Sequence, residues 1–387
     1  MKQKITISLW LISSLASIRC DSGSNSNPFL FLATLNNGNS SSEWTKLMGV
    51  SALSTNAYGI TYDSSGNVYT TGETGGGLDS QTLNGLSDLF VVKTNRSGTK
   101  LWTRLSGVAS TYTGASGISA DSSGNVYVTG VTEGNLDGQT LTGNSDLLVI
   151  KYNGNGAKQW TRLLGVAGKY TRGVGIASDP SGNVYVTGQA EGNLDGQTLT
   201  GIIDLFVVKY NSNGVKQWTR LLGVSGVETY GRAISTDSSG NVYATGDTDG
   251  NLDGQTAVGL SSLLVVKYDS SGTRQWTRLL GLSGVYTIGT SIASDSSGNV
   301  YATGETGGAL DGQTYQGGSR DIFVVKYDDS GAKQWAKLLG SSDFETGNGI
   351  TTDSFQNIYI AGSTSGNLGG KTLTGSSDMF IARLNRQ

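Results

Sequence analysis

A ten-residue stretch, Asp121-Ser122-Ser123-Gly124-Asn125-Val126-Tyr127-Val128-Thr129-Gly130, recurs along the chain at a fixed interval, and that interval constrains the fold more than any other feature. Copies begin at Asp63, Asp121, Asp179, Asp237, Asp295 and Asp353, each 58 residues after the last. A fixed period of this length means that one supersecondary unit is repeated and buries its apolar surface against its neighbours. The array runs almost from end to end without a composition break, so one domain is expected.

Each unit reads as four antiparallel strands. In the second copy, Gly117-Ile118-Ser119-Ala120 is a short strand of small residues leading into Asp121-Ser122-Ser123-Gly124, where an Asx-turn and a positive-φ glycine make a tight hairpin. Asn125 to Thr129 alternates β-branched and aromatic residues as the second strand. After a polar loop from Gly130 to Ser145, Asp146 to Tyr152 is the third strand; Asn153-Gly154-Asn155-Gly156 turns the chain into Lys158 to Leu164, the fourth.

Four strands per period are too many for one coil of a β-helix and match one propeller blade. The third strand is apolar on consecutive residues, as in Leu205-Phe206-Val207-Val208, and so needs cover on both faces. The first is small enough for a crowded axis. The fourth carries Trp44, Trp102, Trp160, Trp218, Trp276 and Trp335, suited to a wide rim. All-β, single β-propeller is the expected fold class. With 59 Gly and 2 Pro the chain is turn-rich, yet the spaced Val, Leu, Ile, Tyr and Trp supply a core.

The signature Gly-Ile-x-x-Asp-x-x-Gly-Asn-Val-Tyr-x-Thr-Gly, then Asp-x-Phe-Val-Val-Lys-Tyr and Gly-x-x-x-Trp-x-x-x-Leu-Gly, resembles the bacterial β-propeller repeat family named for seven blades. The resemblance covers about residues 29 to 385 and implies a propeller in an exported cell-envelope protein without an assigned reaction. Six first-type strands mean six four-stranded blades here, which departs from the family's name. The last repeat supplies three strands only, so the segment from Glu43 to Leu47, around Trp44, is expected to close the ring as an N-terminal strand. Phe29 to Leu35 is a surplus third-type strand, expected outside that clasp or as a fifth strand. The expected domains are a signal peptide at 1–19, a Ser/Asn-rich tether at 20–28 and the propeller at 29–387.

Lys2 and Lys4 followed by apolar Ile5 to Ile18 read as a secretory leader. Cys20, the only cysteine, ends it and precedes a flexible Ser/Asn tether, which resembles a bacterial lipoprotein leader with Cys20 as the lipidated first residue. Arg19 before it departs from the small residue usual there, and cleavage after Ala16 is the alternative. The expectation is an exported protein at the cell envelope or outer surface, lipid-anchored, touching membrane only through that lipid.

The net charge is -3, and removal of Lys2, Lys4 and Arg19 with the leader leaves 24 basic against 30 acidic residues, about -6. No basic stripe exists to neutralise phosphates, which argues against nucleic acid. Histidine is absent, removing the commonest general base and metal ligand. No catalytic residue is assigned and no cofactor is called for, because catalysis needs unlike groups converging at one place and the repeats put like residues at equivalent places. An envelope enzyme acting on carbohydrate or another polymer is the alternative, and it requires that sameness to break at one cluster. A purely structural envelope component is the third reading.

Gly134-Asn135-Leu136-Asp137-Gly138-Gln139-Thr140 recurs at Gly192 and Gly250, making Asp137, Asp195 and Asp253 weak Ca²⁺ candidates. A turn pair explains the same residues, since each loop holds one firm carboxylate. Strand direction places the short, uniform turns on one face of the disk and the long second-to-third loops and blade-to-blade passages on the other. The passages differ most between copies, with Tyr112, Tyr170, Arg172, Glu228, Tyr230, Arg232 and Tyr286 at or near corresponding places. These seven are the candidate contacts for a protein or glycan ligand on the long-loop face of a monomer. The other reading of the same loops is that they differ because nothing constrains them.

Overall fold

A computed structural model describes residues 44–384. They form a six-bladed β-propeller: five sheets of four consecutive antiparallel strands and a sixth of three. Blade 3 is representative, with Thr171–Ser178 innermost, then Val184–Ala190, Asp204–Tyr210 and Lys216–Leu222 outermost. The inner and second strands are longer than the sequence suggested, because pairing continues past Gly173 and Gly188 through a bulge that skips Val174. The same bulge skips Tyr58, Ser116, Arg232, Thr290 and Asn348 in the other blades.

The recurrent Asp organises the inner hairpin. In blade 2, Asp121 Oδ1 accepts the backbone N–H of Ser123 and Asn125, while Oδ2 accepts Asn125 Nδ2 and the hydroxyl of buried Tyr127 at 2.9 Å. Four donors on one carboxylate fix the turn, which is why Asp, Asn and Tyr recur together. Leu205, Phe206, Val207 and Val208 are wholly buried between adjacent blades. Each such side chain contributes about 1.5–3 kcal/mol. Near the axis a Cβ on Gly175 would lie 2.9 Å from the backbone of Ala233 in the next blade, so only glycine fits there.

At the rim the outer tryptophans of blades 1 to 4 are latches, whereas the buried Trp335 Nε1 of blade 5 has no hydrogen-bond partner among the described residues. Trp160 packs between Tyr127 of its own blade and Tyr210 of the next, with ring centroids 6.0 and 6.3 Å away. Its Nε1–H donates to the carbonyl of Ser212 in the next blade, and Arg162 Nε and Lys151 Nζ donate to Gly214 and Ser212 carbonyls beside it. Trp102, Trp218 and Trp276 repeat the bond at 3.2, 3.2 and 3.0 Å.

The junction of blades 6 and 1 differs. Inner strands pack in succession from Thr55–Tyr62 round to Glu345–Thr352, but among the described residues no comparable packing joins the last to the first. The third strand of blade 6, Asp378–Leu384, leaves Met379 and Ile381 about half exposed where other blades are sealed. The expected N-terminal closing strand is corrected in its described part: residues 44–47 take no strand, and the sixth sheet has three. The tryptophan nevertheless occupies a latch position, because Trp44 Nε1 donates to the Arg96 carbonyl at 3.1 Å over Gly98, as the rim tryptophans do one blade on. A side-chain latch needs one acceptor and a glycine, whereas a strand needs a partner edge beside it. Residues 29–43, the tether and Cys20 lie outside the described residues.

Candidate functional site

The three weak Ca²⁺ candidates each already hold partners within their own blade. Asp137 and Gly138 have φ of 50° and 76°, the two left-handed residues of a tight turn closed by the Leu136–Gln139 pair, with Leu136 buried beneath. The Asp137 carboxylate accepts Lys158 Nζ at 2.7 Å and Thr161 Oγ1 at 2.6 Å. Asp195 is held by Lys216 and Thr219, and Asp253 by Arg274 and Thr277. A carboxylate paired with an ammonium or guanidinium group has less attraction left for a cation. Among the described residues no three His, Cys, Asp or Glu gather as a metal group.

Two open clefts at the rim, one lined by Asp79, Lys100, Trp102 and Arg104 and the other by Asp137, Lys158, Trp160 and Arg162, are copies of one another. Trp102, Arg104, Trp160 and Arg162 belong to the blade latches and the Asp–Lys pairs tie the long loop to the outer strand of the same blade, so the form of the clefts follows from packing.

Variation is concentrated at the inner end of the long-loop face. There the passage into each blade bridges the end of the previous blade's long loop, through Ser87–Tyr112, Ser145–Tyr170, Ile203–Glu228, Ser261–Tyr286 and Arg320–Phe344. On the adjacent strand ends, Asn56, Gly114, Arg172, Tyr230, Ile288 and Thr346 stand opposite Glu73, Val131, Gln189, Asp247, Glu305 and Ser363. The third strands behind them hardly change.

Within this zone most charges are paired. Glu73 accepts the hydroxyls of Tyr58, at 2.7 Å, and Tyr112. Burial, the bond to Glu73 and that carboxylate's charge push the Tyr112 phenol up. Tyr230 donates to Glu228, and burial followed by that bond raises its phenol too. Arg232 Nε reaches Asp247 Oδ1 at 2.5 Å and lies 5.4 Å from the Tyr230 ring centre; Arg320 pairs with Glu305 and lies over Phe344. The structure therefore places all seven sequence candidates on one face but divides them: Tyr112, Glu228, Tyr230 and Arg232 sit in internal networks, while Tyr170, Arg172 and Tyr286 are exposed.

Sequence reasoning missed Glu73, Asp247, Glu305 and Arg320, although aligning the repeats would have exposed them as differing positions on otherwise uniform strands. It also missed a break of symmetry in blades 5 and 6. Third strands begin at Ser262, Asp321 and Asp378, so spacing changes to 59 and then 57: one residue enters a loop and one leaves the next passage. Asp146 uses both oxygens on loop N–H groups, but Asp321, also fully buried, keeps only the Gln316 N–H, and its Oδ1 has no partner. Burial pushes its carboxyl up, the Gln316 bond works against this, and Glu345 adds to it.

A family model described as Beta-propeller repeat matches this chain six times, at residues 43–79, 101–137, 159–195, 217–253, 275–310 and 334–369. An uncharacterised WD repeat-containing protein of Acanthamoeba polyphaga mimivirus is 24% identical over 74% of this chain and 27% of its own length. The regulatory protein FlaEY of Caulobacter vibrioides is 24% identical over 52% of this chain and 24% of its own. The chain thus spans about a quarter of these curated relatives. Among solved structures, a virginiamycin B lyase from Staphylococcus aureus aligns over 86% of this chain and 85% of its own, with 11% identity and a TM-score of 0.43. A polysaccharide lyase, an ulvan lyase, aligns over 83% and 77%, with 11% identity and a TM-score of 0.42.

Proposed function

Because this chain belongs to the Beta-propeller repeat family, we propose that it is a binding module, taking a glycan or protein ligand at the inner end of its long-loop face. We place it outside the cell, on the envelope, held by a lipid on Cys20. The observation that carries the binding reading is the confinement of variation: strands, short turns and rim latches repeat nearly unchanged, while charge, aromaticity and size change from blade to blade at one face. A rigid scaffold that varies side chains over one surface supports recognition.

The geometry favours binding over catalysis. The face carboxylates Glu73, Asp247 and Glu305 each hold a tyrosine or arginine, and Asp321, whose carboxyl is raised, is sealed from solvent. Screening the purified chain against a glycan array and envelope proteins tests the reading. Alanine at Tyr170, Arg172 and Tyr286 is expected to weaken any hit, and alanine at Ser212 and Ser270 in the short turns to leave it unchanged. Retention of every hit by the triple variant would sink it. Mass spectrometry of the native N-terminus tests the anchor, for which a chain starting at Ser17 is the contrary result.

A further inference from the structure

Three arginines stand on the inner long-loop face, and their pairing differs. Arg232 is held by Asp247, and Arg320 by Glu305. Arg172 faces Gln189 across its strand pair, at the position where blades 1, 4 and 5 carry Glu73, Asp247 and Glu305. Its guanidinium is exposed and makes no ion pair within the described residues. It is close enough to Tyr112 for its charge to be felt by that phenol, and Tyr170, two residues before it, is 51% exposed. A planar cation with five donors thus stands two residues along the chain from an exposed aromatic ring.

From this, and resting on the binding reading above, we infer that the ligand is an acidic sugar unit of a glycan, its carboxylate gripped by Arg172 and its ring laid against Tyr170. Guanidinium groups bind carboxylates through two parallel hydrogen bonds, a geometry that a hydroxymethyl group at the same place does not satisfy. The C–H face of a pyranose buries apolar area on a phenol ring while its hydroxyls stay wet. Gln189 supplies a neutral donor and acceptor beside it.

The surroundings limit how much negative charge arrives. Glu133 and Asp249 are exposed and Glu191 half-buried at the starts of neighbouring long loops, their backbones bonded to the passages, and they repel a dense polyanion. One carboxylate amid hydroxyls fits; a run of them does not. The passage at Tyr170 is already bridged to Ser145, so no strand edge is open there for a peptide to extend.

Methyl β-D-glucuronide and methyl β-D-glucoside differ only in carboxylate against hydroxymethyl, and titrating both into the chain by NMR isolates that group. The glucuronide is expected to bind at least tenfold more tightly than the glucoside. Arg172→Gln should erase the difference at an unchanged melting temperature, and Tyr170→Ala should weaken the glucuronide. Equal binding of the two sugars, no binding of either at millimolar concentration, or a preference that survives Arg172→Gln overturns the inference. So does N-acetylglutamate binding through Arg172 as tightly as the glucuronide. These results leave the binding face standing, because that reading fails only if array hits ignore Tyr170, Arg172 and Tyr286 altogether.

Discussion

Trp160 donates its indole N–H to the carbonyl of Ser212 across a blade boundary, at 3.1 Å, and its ring lies on Gly214. A Cβ at Gly214 would come within 2.7 Å of the indole, whereas Gly196, with the same φ of 74°, has open space around it. Gly196→Ala should therefore cost only the left-handed backbone penalty, about 1–2 kcal/mol. Gly214→Ala should cost at least about 1 kcal/mol more, because it also displaces the latch. Urea unfolding of the two variants measures the difference, and equal midpoints would mean that the latch carries no stability.

The recurrent turn Asp and the third-strand Asp of blade 5 predict opposite pH behaviour. Asp63 is pushed up by burial, but hydrogen bonds from the Asn67 side chain and backbone and from Tyr69, together with Lys93, outweigh that and hold it below the usual carboxylate range. A lowered folded pKa contributes stability above the unfolded value near 3.9 that is lost as pH falls through the folded one. Asp63→Asn should thus destabilise by about 1–2 kcal/mol at neutral pH, with the gap closing in acid. Asp321 is raised, so its favourable contribution is full below the unfolded value and is lost as pH rises through the folded one. Asp321→Asn keeps the acceptor for Gln316 and removes the buried charge. It should stabilise by about 1 kcal/mol at neutral pH and give no gain near pH 3.5, as thermal melts across pH will report.

The uncovered third strand of blade 6 predicts uneven dynamics. Amides of Asp378–Leu384 should exchange faster than those of Asp204–Tyr210, which is paired on both edges and buried on both faces. Hydrogen exchange by mass spectrometry resolves the two segments. Equal protection would show that another segment covers the blade 6 edge in solution.

The strand plan was legible because its cause is local: an Asp-x-x-Gly-Asn turn, consecutive apolar residues and a tryptophan recur at fixed offsets. The latch partner was not legible, since the Ser212 carbonyl lies 52 residues from Trp160 and any residue type supplies a carbonyl. That the long loops and the passages share one end of the blades was legible from strand direction, as their bridges show. Which residues there were already committed was not, because Arg232 meets Asp247 only once a bulge turns it. Asp321 escaped notice because an inserted and a deleted residue cancel and leave the 58-residue spacing of the turn Asp unchanged.

That division of the face separates stability from recognition in a single pair of variants. Arg232→Ala leaves Asp247, 4% exposed, without its guanidinium, so it should cost about 3 kcal/mol. Any loss of binding it shows is then confounded with a loosened blade 4. Arg172→Ala removes an exposed side chain with no carboxylate to abandon, and stability should change by less than about 0.5 kcal/mol. If Arg172 is the ligand's contact, the more stable of the two variants is the one that loses binding. Melting curves and binding isotherms on the same preparations decide it: a destabilised Arg172→Ala would place that guanidinium among the internal supports of the face, alongside Arg232 and Arg320.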